Sequence, residues 1–171
     1  MSVLAEQDPL FKNPRLIPAA IVLVCLAALG SAFASEIWGG LDPCVLCIYQ
    51  RYAYGAAMIF GIGAFVVADR PKLRRMEILL AALAFLAGAG IAMFHVGVEQ
   101  QWWQGTESCY APAVDFNASI DDLRQQLLAK KPATCDQVAW SLGGISIAGY
   151  NVIASLIFAA GCLWAGRRAG T

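Results

Sequence analysis

The chain is predicted to be an all-α membrane protein: a four-transmembrane-helix bundle with a long periplasmic loop that carries a short interfacial helix. Three observations predict it. Of 171 residues, 59% are hydrophobic and only 14% charged, where a soluble domain carries roughly 25%. Four runs, about residues 16–35, 48–68, 76–97 and 140–165, approach the ~20 apolar residues needed to cross a hydrocarbon core. Basic residues gather at alternate ends of those runs. Lys12 and Arg15 precede the first, Arg70, Lys72, Arg74 and Arg75 link the second to the third, and Arg167 and Arg168 follow the fourth. By the positive-inside rule both termini and the basic link are expected in the cytoplasm. Residues 36–43 and 98–139 are then the outer loops of one membrane domain over 1–171.

The first run, with Lys12 and Arg15 before it and Ala32-Phe33-Ala34 near its end, imitates a secretory signal. Its apolar core exceeds the ~7 to 15 residues usual there and is expected to stay as an anchor. Cleavage would leave three spans and move no cysteine to another side. The second run tolerates Gln50 and Arg51 in its first turn. Small residues at Gly61, Gly63, Ala87 to Gly90, and Gly143-Gly144 favour close helix contact in lipid. Trp38, Trp102, Trp103 and Trp140 at the outer ends and Trp164 at the inner end fit an interfacial aromatic belt. In the long loop, Ser119 before Asp121 and Asp122 resembles a capped helix start, and Ile120, Leu123, Leu127 and Leu128 form one apolar stripe. That helix either lies on the membrane surface or is a solvated amphipathic segment. Zero net charge without a basic patch points away from nucleic acid.

Four of the six cysteines, Cys44, Cys47, Cys109 and Cys135, fall on the same outer side. Pro43 suits a helix start, so Cys44 and Cys47 belong to the first turn, where the helix N-terminus favours the thiolate that attacks disulfides. The blander reading of this CxxC is a permanent staple or half a zinc site. Arg51 shares their helix face, about 6 Å deeper than Cys47. It either snorkels to the interface or acts electrostatically, steadying a thiolate or polarising the carbonyl of an electron acceptor. A Cys109–Cys135 bridge would add roughly 3 to 4 kcal/mol by loop closure, which suits a static staple, yet a pair facing a CxxC also completes a thiol relay. Tyr110 and Pro112 beside Cys109 suggest an exposed, extended landing strip for a partner. His95 is the only histidine, so no His-based metal cluster is expected. It is read either as an interfacial hydrogen-bonding residue or as a proton carrier or ligand contact. Cys25 and Cys162 lie within apolar runs and are read as packing residues.

Cys44-Val45-Leu46-Cys47-Ile48-Tyr49-Gln50-Arg51 at a span entrance, four spans, inner termini and a loop cysteine pair together resemble the DsbB family, the bacterial inner-membrane disulfide-bond formation proteins. The resemblance implies a protein-disulfide oxidoreductase using ubiquinone or menaquinone, without haem, flavin or metal. It implies that Cys109 takes the attack of a DsbA-like periplasmic thioredoxin-fold partner and that Cys135 passes to Cys44. Cys47 is then the thiolate that donates to the quinone, with Arg51 and His95 beside that cofactor. Two rivals stand against it: a four-span adaptor with static bridges, and a reductive membrane thiol enzyme like vitamin K epoxide reductase, which normally places its quinone-side CxxC late in the bundle.

Overall fold

Four long helices and one short β-ribbon dominate the computed structural model, which describes residues 13–110, 119–121, 124 and 133–168. In chain order these are α1 (Leu16–Ile37), α2 (Val45–Val66), α3 (Pro71–Glu99), β1 (Ser141–Leu142), β2 (Ile145–Ser146) and α4 (Ile147–Arg168), with a 3₁₀ turn at Glu107–Cys109 before the ribbon. Pro71 occupies the start of α3, where a missing N–H breaks no helical bond. Cys44 caps α2, its sulfur accepting from the Cys47 N–H at 3.4 Å. Short connections make α1, α2 and α3 successive antiparallel neighbours, and a hydrogen bond from Ser146 to Glu99 brings the start of α4 to the end of α3. The C-termini of α1 and α3 and the N-termini of α2 and α4 therefore share one end of the bundle.

α1, α3 and α4 are long and apolar enough to cross a membrane. α2 has the length, 22 residues, about 33 Å at ~1.5 Å per residue. It lacks the composition, because Tyr49, Gln50, Arg51, Tyr52 and Tyr54 crowd its first turns. The expected four runs are thus four helices, three of them spans by length and composition.

α3 packs against both α2 and α4, and α1 packs against α2. Their shared core holds Ile21 and Cys25 of α1, Tyr54 and Ala57 of α2, Ile78 and Phe85 of α3, and Ala159 and Cys162 of α4. Phe85 lies edge-on to Tyr54, with ring centroids 5.6 Å apart, and 5.5 Å from Phe158. Glycine permits the close approaches: a Cβ at Gly61 would meet Ile21 at 2.9 Å, and one at Gly88 would meet Ala53 at 3.1 Å. Cys25 and Cys162 are buried in this core, as packing side chains would be.

The fourth run departs from expectation at its start. Residues 141–146 form an antiparallel hairpin, with Ser141 opposite Ser146 and Leu142 opposite Ile145, and α4 begins only at Ile147. Gly143 and Gly144 have φ of +59° and +82°, the paired left-handed geometry of a tight hairpin turn. This glycine pair makes a turn and not a helix contact. Trp103, expected in an aromatic belt, stacks on Phe94, lies against the Gly97 backbone and donates to the Phe94 carbonyl at 3.0 Å. It closes the end of α3. Most of the interfacial helix expected beyond Ser119 lies outside the described residues, as does Pro112.

Candidate active site

Where α2 begins and α3 ends, the connection carrying the 3₁₀ turn folds back onto the bundle. Cys44, Leu46, Val98, Cys109 and Cys135 form one buried cluster there, with Cys47 packed against it. All four outer cysteines are brought together. Cys44, Cys109 and Cys135 are 5%, 1% and 0% exposed, whereas Cys47 is only partly buried.

Cys109 sits at the end of the 3₁₀ turn, its sulfur 3.4 Å from the Thr106 hydroxyl. The Cys135 N–H donates to the Cys109 carbonyl at 3.0 Å. Burial first, and then a hydrogen bond with the Cys109 thiol, push the Cys135 thiol far above its usual range. The expected landing strip holds at Tyr110, while Pro112 lies outside the described residues. Tyr110 is exposed and extended, but the sulfur beside it is covered.

Cys44 and Cys47 both precede residue 48, where the second span was expected to start. Their sulfurs lie 3.0 Å apart, within about 1 Å of a ~2.05 Å disulfide bond. With the Cys44 thiol donating, that hydrogen bond is the chief cause that raises Cys44 to about 12. It is also the chief cause that holds Cys47 below its ordinary value. The first proton therefore leaves Cys47, the more accessible sulfur, in agreement with its place in the first helical turn.

His95, on α3, is 4% exposed, so its interfacial reading fails: it faces inward. Its Nε2 lies 3.5 Å from the Cys44 sulfur and 3.8 Å from Glu99 Oε1, and its Nδ1 lies 3.1 Å from Gln50 Nε2. The other Glu99 oxygen accepts from the Ser146 hydroxyl on β2. Cys44, Cys47 and His95 place three donor atoms within 4.8 Å of one another. The ring nitrogens are committed to hydrogen bonds, and we do not assign these residues as metal ligands.

Arg51 turns toward α1. It donates to Glu36 Oε2 at 2.6 Å and to the Ala32 carbonyl at 3.3 Å, with its guanidinium 4.8 Å from the centre of the Phe33 ring. The free snorkelling reading is therefore replaced by a paired arginine whose charge still acts on Cys47. Glu36, Glu99, Tyr54, Asn151 and Ser155 were not singled out from the sequence. Glu99 had a signal, one turn from His95 on the same helix face, and Asn151 had another, an amide within an apolar run.

The family model described as Disulfide bond formation protein DsbB matches residues 14–165. The chain belongs to the DsbB family. It is 32% identical over 145 residues to Disulfide bond formation protein B of Marinobacter nauticus, covering 81% of this chain and 83% of that one. It is 31% identical over 147 residues to Disulfide bond formation protein B 2 of Pseudomonas syringae pv. syringae (77% and 76% covered) and 33% identical over 142 residues to that of Pseudomonas putida (80% and 81%). No solved structure matches. As a DsbB-family protein the chain is a membrane protein of disulfide bond formation, with the chemistry of a disulfide-forming oxidoreductase.

Proposed function

We propose that this protein oxidises a DsbA-like, thioredoxin-fold dithiol partner and passes the electrons through two cysteine pairs to a membrane quinone. The observation that carries the reading is the single cluster holding Cys44, Cys109 and Cys135, with Cys47 at its open edge. Static bridges need no such convergence. On this reading all four helices span a bacterial inner membrane, with both termini cytoplasmic and the cluster periplasmic, and residues 1–171 make one domain.

The exchange conserves bonds and electrons. A partner thiolate attacks Cys109 of a Cys109–Cys135 disulfide, and Cys135 leaves as thiolate. The partner's second thiolate then displaces Cys109 and closes the partner's own disulfide. Cys135 attacks Cys44 of a Cys44–Cys47 disulfide, and Cys47 leaves as the thiolate. Quinone, ubiquinone or menaquinone, supplies the two-electron acceptor that thiols alone lack. Arg51 fits that group: five guanidinium N–H donors exceed those used on Glu36 and Ala32, so further donors remain for a carbonyl. His95, which the resemblance puts beside the quinone, also lies against the Cys44 sulfur. Because Cys109 is buried, the 3₁₀ turn must lift before the partner can attack.

The test is quinone reduction by the purified protein in lipid nanodiscs, started with reduced thioredoxin-like partner. Rapid loss of quinone absorbance with one partner disulfide formed per quinone is expected. No reduction above the protein-free rate would favour the static adaptor.

A further inference from the structure

Gln50 joins the cysteine cluster to a buried polar ladder between α2 and α4, and the chemistry of the amides fixes the direction of each bond that Gln50 and Asn151 make. The Leu46 carbonyl only accepts, so the Gln50 atom 3.2 Å from it is the amide nitrogen. The same nitrogen faces His95 Nδ1 at 3.1 Å, while Gln50 Oε1 faces Asn151. That oxygen only accepts, so Asn151 turns its Nδ2 to it. Its Oδ1 is left for the hydroxyls of Tyr54 at 2.8 Å and Ser155 at 3.1 Å. A ring nitrogen facing an N–H must itself accept, so His95 carries its proton on Nε2. Nε2 in turn faces the Cys44 sulfur and Glu99, both able to accept.

The geometry points to Gln50 as a positioning residue that holds His95 in its Nε2–H form, so that hydrogen-bond donors run one way from Tyr54 and Ser155 through Asn151, Gln50 and His95 to Cys44. Cys44 extends the line by donating to Cys47, and aligned bonds of this kind strengthen one another. The groups facing the ring are Cys44 from α2, Glu99 from α3 itself and the Cys135 backbone from the loop. An Nδ1 proton would point at the Gln50 amide hydrogens, and turning the amide breaks its bonds to Leu46 and Asn151.

The consequence for exchange rests on the proposed relay. When Cys109 attacks Cys135 of a Cys44–Cys135 bridge, the Cys109–Cys135 bond forms, and Cys44 departs with the electron pair of the broken bond. A fixed N–H beside that sulfur stabilises the thiolate as it forms.

His95 is the only histidine, so ¹⁵N-histidine labelling of the whole protein in nanodiscs reports one ring. Near pH 7 an unprotonated Nδ1 and a protonated Nε2 are expected. Gln50→Leu should abolish that preference and slow iodoacetamide labelling of reduced Cys47 about 2- to 10-fold, the range one net hydrogen bond confers. Asn151→Leu should do the same, and Ser155→Ala, one link further away, gives a milder variant with a smaller change. A proton on Nδ1 in the wild-type protein overturns the inference, as does an unaltered ring in folded Gln50→Leu. The wild-type ring measurement needs neither partner nor quinone, so it stands or falls separately from the thiol-oxidase reading.

Discussion

Cys109 must be uncovered before a partner can reach it, and Gly105 is the hinge-side residue on which to test that. A Cβ placed at Gly105 would lie 2.8 Å from the Cys109 Cβ, 3.0 Å from its sulfur and 3.3 Å from Val98. Carbon atoms pack at about 3.5 to 4.0 Å, so Gly105→Ala requires a shift of about 0.7 Å or more. Overpacking of this kind costs about 1 to 3 kcal/mol. The strain falls on the closed turn, and each 1.4 kcal/mol is about tenfold in an equilibrium, so the open form should rise roughly 5- to 150-fold. The assay is the rate at which a membrane-impermeant maleimide labels Cys109 in the reduced protein, located by peptide mass spectrometry. Buried Cys25 and Cys162 serve as internal references whose labelling should not change. Labelling of Cys109 at the wild-type rate in folded Gly105→Ala would refute the claim that this packing gates the sulfur.

Two further outcomes follow from the same geometry. Alkylation of the reduced protein should reach Cys47 at pH values below the ordinary thiol range, because the lowered pKa keeps its thiolate as pH falls, while Cys44 should resist until pH nears about 12. Indistinguishable pH profiles for the two would contradict the direction of their hydrogen bond. Arg51→Gln should raise the apparent KM for quinone on the order of tenfold, the scale of one charge-assisted hydrogen bond, with little change in the KM for the dithiol partner. An unchanged quinone KM would reduce Arg51 to its structural pairing with Glu36.

Much of the bundle and one end of the site were legible in local sequence. Apolar run length marks the helices, and Pro43 ahead of Cys44 marks the start of α2, because both signals act within a turn or two. Alternating basic ends place four cysteines on one side without any knowledge of packing. The burial of Cys109 was not legible, because it depends on Val98 and Cys135, which local pattern does not connect to it. Gln50 was visible as an odd polar residue at a span entrance, yet its meaning lies in Asn151, 101 positions away. The hairpin shows a different failure. Gly143-Gly144 is a strong turn signal, but it sits at the edge of a long apolar run, where small residues also suit helix contacts. Arg51 was legible as a charge near a span end. Its partner Glu36 belongs to the end of another helix, and side-chain pairing across helices is a matter of tertiary structure.

The transfer from Cys135 to Cys44 is tested most directly in Cys47→Ser, where Cys44 has lost its partner within the CxxC. After one equivalent of reduced thioredoxin-like partner and mild reoxidation, disulfide mapping by mass spectrometry of acid-quenched samples should find a Cys44–Cys135 bridge with Cys109 free at early times, before Cys109 attacks Cys135 and re-forms the Cys109–Cys135 bridge. An intact Cys109–Cys135 bridge beside an unpaired Cys44 at every time point would contradict it.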